Sequence, residues 1–161
     1  MTLFKSLPLA LLFALSACAA THTPPQTAAG PDFLARNAQA KRVVTTASGL
    51  QYFIVRSGLK AGQRPGPADT VVFDYEGRLV SGEVFDSSYE RGAPLTGNIQ
   101  KFVPGFTEAL LLMRPGDEWI VWIPPALGYG AAATGPIPAN SVLRFKMELR
   151  SSAPSAPEGG A

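Results

Sequence analysis

The sequence predicts an α+β domain of several strands with one short helix packed across them. Three observations carry this. "VLRFKMELR" alternates without a break, Leu143, Phe145, Met147 and Leu149 against Arg144, Lys146, Glu148 and Arg150, as a strand with one core face and one wet face does. "VPGFTEALLLMRPGD" is the one strong helical stripe inside the domain. The other apolar runs are short and set apart by Gly- and Pro-rich stretches. A chain of 161 residues, 46% of them hydrophobic, has room for one such domain, read here as residues 45–151, with flanking segments.

The front of the chain reads as an address. Lys5 precedes an apolar run from Leu7 to Ala17. That run is too short to cross a hydrocarbon core of about 30 Å as a helix rising about 1.5 Å per residue. Residues 1–17 have the layout of an export signal. Leu15-Ser16-Ala17-Cys18 resembles the lipobox of bacterial lipoproteins, whose cysteine becomes the first mature residue and carries lipid. The resemblance implies a membrane anchor on Cys18, and several acyl chains anchor stably where one does not. Ala19 is not the aspartate of an inner-membrane retention signal, which in a Gram-negative cell implies the outer membrane facing the periplasm. Residues 18–31, "CAATHTPPQTAAGP", are small, polar and Pro-rich, the composition of a flexible tether.

The remaining elements follow in order. "DFLARNAQAKRV" predicts a short helix over residues 32–44 with Asp32 as N-cap. "GLQYFIV" predicts a strand with Leu50, Tyr52 and Ile54 on one face, and "KAGQRPGPAD" a loop. "TVVFDYEGRLVSGEVFDSS" predicts two strands joined near Ser81-Gly82. Val71, Phe73 and Tyr75 share the inner face, Asp74 and Glu76 the outer. In the helix, Pro104 suits the first turn, Phe106, Leu110 and Met113 form the stripe that Leu111 and Leu112 widen, and Pro115-Gly116 ends it. "EWIVWIP" reads as a strand covered on both faces. Residues 152–161 have the composition of a disordered tail.

Composition excludes several functions. One cysteine, Cys18, and one histidine, His22, both in the tether, leave no disulfide framework and no Cys or His metal site in the domain. A net charge of +2 with scattered bases gives no nucleic-acid stripe. No thiol or imidazole sits in the domain for nucleophilic or proton-transfer chemistry, and no phosphate-binding glycine motif is present. Asp86 in "VFDSSYE" has no titratable partner that would make it half of an acid–base pair. What the domain does offer is aromatic and aliphatic residues beside turns: Tyr75, Phe85, Phe102, Val103, Phe106, Tyr129, Ile137 and Phe145. Tyr129 stands between Gly128 and Gly130, where a phenol can point into a cleft. Apolar walls with a few placed polar groups make a pocket for a small ligand or a peptide.

Three stretches in this order, "VVFDYEGRLVSGEVFDSSYERGAPL", "FVPGFTEALLLMRPGDEWIVWIPPALGYG" and "GPIPANSVLRFKMEL", resemble the FKBP-type peptidyl-prolyl cis-trans isomerases across residues 49–150. "FLARNAQAKRVVTTASGLQY" resembles the macrophage-infectivity-potentiator branch of exported bacterial members. The resemblance implies a half-wrapped antiparallel sheet around one short helix, with a pocket between them and no cofactor or metal. By motif, catalysis falls to Tyr75, Phe85, Asp86, Val103, Phe106, Tyr129 and Phe145, and substrate binding to Leu95, Phe102 and Ile137. The N–H of Val103 and the hydroxyl of Tyr129 would hold substrate carbonyls while Phe85, Phe106 and Phe145 enclose the proline ring. Phe106 stands where many members have tryptophan, and Leu95 where an aromatic is frequent. Implied partners are proline-containing polypeptides and macrolides such as rapamycin or tacrolimus. The short segment after Cys18 implies a monomer. The alternative reading is a binding module, an anchored chaperone or adhesin that holds proline segments with little turnover.

Overall fold

The computed structural model describes residues 30–58 and 62–155. The export signal, Cys18 and His22 lie outside the described residues. The strands are β1 (Val44–Thr45), β2 (Gln51–Arg56), β3 (Thr70–Leu79), β4 (Val84–Ser87), β5 (Leu95–Asn98), β6 (Glu118–Ile123) and β7 (Leu143–Ala153). They form one sheet in the order β1-β2-β6-β7-β3-β4, with β5 also paired to β3. Every pairing is antiparallel. The helices are α1 (Gly30–Asn37), α2 (Ser88–Arg91) and α3 (Pro104–Leu112).

The spine of the sheet is β3 against β7, in register from Thr70↔Ala153 to Leu79↔Leu143 with a bulge between Val72 and Phe73. A bulge adds local twist and bends its strand, and here the sheet half-wraps α3. Val71, Phe73 and Tyr75 from β3 meet Phe145, Met147 and Leu149 from β7 in the core, and Phe106, Ala109, Leu110 and Met113 close it from the helix side. Pro104 occupies the first helical turn, as its missing N–H and fixed φ allow.

On its other edge β3 is served by two strands, β5 beside Thr70–Phe73 and β4 beside Glu76–Arg78. Between them the ladder is open at Tyr75, and α2 fills the gap. The hydroxyl of buried Ser88 accepts from the Tyr75 N–H (2.9 Å) and donates to Asp74 Oδ1 (3.0 Å). The other Asp74 oxygen accepts from Arg150. A side chain thus takes the place of a missing strand partner.

Four expectations need correcting. The first helix runs from Gly30 to Asn37 rather than 32–44, with Asp32 inside its first turn. It stops because the Asn37 side chain is drawn to Gln51 Oε1 (2.8 Å) and because the chain must reverse, through Arg42 at φ +71°, to pair Val44 with Tyr52. The strand β6 is covered on one face only. Trp119, Val121 and Ile123 are buried, while Glu118 on the opposite face bridges Arg56 and Lys146, since α3 can cover only one side. Asp74 is not wet but 3% exposed, because α2 and Arg150 enclose it. Finally, β7 continues to Ala153, two residues past the predicted domain end, since Ser152 and Ala153 find partners in Val71 and Thr70. Residues 156–161 of the predicted tail lie outside the described residues.

Candidate functional site

Alternation along β3 sends Phe73 and Tyr75 inward, and the first turn of α3 brings Phe106 up against both. The Phe106 ring lies 5.2 Å from Phe73, 5.4 Å from Phe102 and 5.0 Å from Phe145, the last edge-to-face at 89°. Phe85, on β4, meets Phe145 edge-to-face at 5.5 Å. Such tilted and T-shaped contacts suit the ring quadrupoles. They leave a cavity of about 260 Å³ with Phe106 at the centre of the cluster that lines it.

Of the ten pocket residues read from the sequence, the structure gathers nine around this cavity: Tyr75, Phe85, Asp86, Leu95 and Phe102, then Val103, Phe106, Tyr129 and Phe145. Ile137 is the exception. It is absent from the lining, 5% exposed and packed in the main core, where its backbone pairs with Thr134 in the loop after Tyr129. Lys101, which the sequence reading missed, completes the lining.

Polar groups around the apolar wall are few and placed. Val103 caps α3 with extended φ/ψ, and its carbonyl accepts from the N–H groups of Phe106 and Thr107 (2.9 and 3.0 Å). Its own N–H has no partner among the described residues. Thr107 donates to the Ile99 carbonyl (2.8 Å), which ties the 3-10 turn Ile99–Lys101 to the helix. Tyr129 is 40% exposed, and its hydroxyl has no partner among the described residues. Its loop is held by Gly130 N–H on the Pro125 carbonyl and by Asn140 N–H on the Gly130 carbonyl.

Asp86 does have a charged partner. Arg91, from α2, donates to Asp86 Oδ1 and, at 2.9 Å, to the Tyr75 hydroxyl. Tyr75 in turn donates to Asp86 Oδ2 at 2.5 Å. Burial first, and then the hydrogen bond to Asp86, pushes the Tyr75 phenol above its usual pKa, so it stays a donor at neutral pH. Both Asp86 oxygens are therefore engaged, one by a phenol and one by a guanidinium. The carboxylate thus accepts from both partners and helps to orient the Tyr75 phenol. Sequence reasoning missed Arg91 because a four-residue helix has no periodicity. Its signals were the Ser87 cap and Gly92, which ends the turn at φ +69°.

Among the described residues no group of three or more His, Cys, Asp or Glu side chains could hold a metal, and no helix is long and apolar enough to cross a membrane.

Residues 62–150 match the family model for FKBP-type peptidyl-prolyl cis-trans isomerase, and residues 14–54 match the domain amino-terminal to it. The outer membrane protein MIP of Legionella longbeachae is 43% identical over 123 residues, 76% of this chain and 52% of that protein. The peptidyl-prolyl cis-trans isomerase Mip of Coxiella burnetii is 45% identical over 118 residues, 73% of this chain and 50% of its own. The chain thus spans about half the length of the curated relatives it matches. The crystal structure of FkpA from Escherichia coli superposes with a TM-score of 0.77 at 39% identity, covering 81% of this chain and 61% of that one. Sequence motifs, half-wrapped sheet and these likenesses agree, and the chain belongs to the FKBP-type peptidyl-prolyl cis-trans isomerase family.

Proposed function

We propose that this protein catalyses cis-trans rotation about Xaa-Pro bonds in exported polypeptides. The carrying observation is the apolar aromatic cavity whose free polar groups among the described residues include two donors beside the aromatic wall, the Val103 N–H and the Tyr129 hydroxyl. An amide resists rotation because resonance must be lost, with a barrier of about 18–20 kcal/mol. The planar ground state is more dipolar than the twisted one, so a dry wall favours the twisted one. Phe85, Phe106 and Phe145 would enclose the proline ring, with Leu95 and Phe102 beside it, and the two donors would hold the flanking carbonyls. Each 1.4 kcal/mol or so of preference for the twisted state is about tenfold in rate. Macrolides such as rapamycin or tacrolimus are proposed as further ligands of the same cavity.

A protease-coupled or NMR exchange assay on Leu-Pro peptides tests this. The wild type is expected to accelerate exchange, with kcat/KM about three- to tenfold lower in Tyr129→Phe and in Phe85→Ala. Unchanged rates in both variants would sink the site. Peptide binding with no acceleration by the wild type would favour the holding module instead.

We further propose that residues 1–17 are an export signal, that Cys18 carries lipid, and that the residues from Cys18 to the start of α1 tether the domain at the outer membrane, facing the periplasm. The lipobox-like Leu15–Cys18 and the name of the Legionella relative support this. Cys18→Ser is expected to move the protein from the membrane fraction to the soluble one, or to leave it unprocessed. Unchanged fractionation together with an unchanged mature mass would refute the anchor.

A further inference from the structure

Two side chains that carry formal charge line the cavity, Asp86 and Lys101. They differ in what they have left to offer. Both oxygens of Asp86 are taken, by Tyr75 and by Arg91, and the guanidinium compensates its charge. Lys101 is exposed at the end of the Ile99–Lys101 turn, and among the described residues no carboxylate lies within ion-pair distance of it. The uncompensated charge at the mouth is thus a single ammonium on a flexible four-carbon stem. It stands two residues before Val103, the residue whose free N–H is proposed to hold a substrate carbonyl.

We infer that Lys101 is a specificity-determining residue that selects substrates with a carboxylate side chain next to the proline. The inference rests on the isomerase reading of the cavity. Lys101 and Val103 line the same cavity, so a peptide seated on the Val103 N–H would pass Lys101 close to the proline. A glutamate or aspartate there meets a cation with no internal competitor, whereas a lysine or arginine meets a like charge. The pair would stay partly in solvent, so the preference is modest and sensitive to salt.

The experiment compares isosteric peptides in the NMR exchange assay, Glu-Pro with Gln-Pro and Pro-Glu with Pro-Gln, with Leu-Pro as reference. On at least one side of proline, the wild-type Glu-to-Gln ratio of kcat/KM is expected to be about two to five at low ionic strength. It is expected to fall to about one near 1 M salt, where the screening length is about 3 Å. In Lys101→Met the ratio is expected to be about one at every salt concentration, and in Lys101→Glu below one. Because the ratio is taken within each variant, a general change in pocket quality cancels. A normal Leu-Pro rate with a wild-type ratio of one on both sides overturns the inference and leaves the isomerase reading standing. So does a ratio above one that survives Lys101→Met. No acceleration of any peptide overturns both.

Discussion

Phe106→Ala is expected to lower folding stability by about 3–5 kcal/mol and to reduce kcat/KM on Leu-Pro peptides by about ten- to a hundredfold. The stability loss follows from position. Phe106 is 5% exposed and touches Phe73, Tyr75, Phe102 and Phe145. Those rings come from β3, β7 and the approach to α3, so they cannot collapse together into the space left. The expected activity loss rests on the proposal that the same ring, which lines the cavity, forms the floor on which the proline ring sits. Without it the proline ring loses an apolar face, and water regains access to the rotating carbonyl. Denaturant midpoints report the first effect, and exchange rates per folded molecule, taken well below the variant's melting temperature, report the second. A variant that loses stability but keeps its rate would show that Phe106 supports the pocket without forming its floor.

The elements that make this site were legible to very different degrees. Period-two patterns marked β3 and β7, and the stripe of Phe106, Leu110 and Met113 marked α3, because each has one face that must be apolar. The motif order then named nine residues that the structure gathers around one cavity, including Val103, whose proposed role lies in its backbone and leaves no mark in composition. Ile137 failed for a physical reason. A loop residue has no periodicity to say which way it faces, and here the Thr134–Ile137 pairing accompanies its burial in the core.

The polar framework was the less visible part. Asp74 looked like a wet outer-face acid, yet Ser88 and Arg150 make it an internal strut that holds α2 against the open ladder at Tyr75. Arg91 sits five residues after Asp86, too far along the chain for any strand pattern to join them, and only the tight turn of α2 returns it to the pocket. Side-chain hydrogen bonds of this kind depend on where loops lead, which local sequence does not state. Helix ends behaved likewise. Asp32 is a good cap by type, but the Asn37–Gln51 contact, a tertiary one, helped decide where α1 stops.

Gly77→Ala is the second substitution with a large expected effect, and it tests the wall where Phe106→Ala tests the floor. Gly77 lies on β3, paired with Phe145 on one side and with Asp86 on the other. A Cβ there would stand 2.6 Å from ring carbons of Phe85 and 2.7 Å from Phe145 Cε1. Neither distance is tolerable, so a ring must move. Phe145 is wedged against Phe106 in the core, while Phe85 is only partly buried, so Phe85 is the one to yield. Overpacking of this kind costs about 1–3 kcal/mol, and displacing Phe85 is expected to lower kcat/KM by about three- to tenfold, as Phe85→Ala does. The cause is separable from any general damage to β3 by a double-mutant cycle. If the clash with Phe85 carries the loss, Gly77→Ala/Phe85→Ala is expected to be more stable than the two single losses add up to, by about 0.5–2 kcal/mol. Strict additivity would mean that Phe145 or the backbone absorbs the methyl, and the absence of a side chain at position 77 would then serve the β3–β7 pairing rather than the pocket wall.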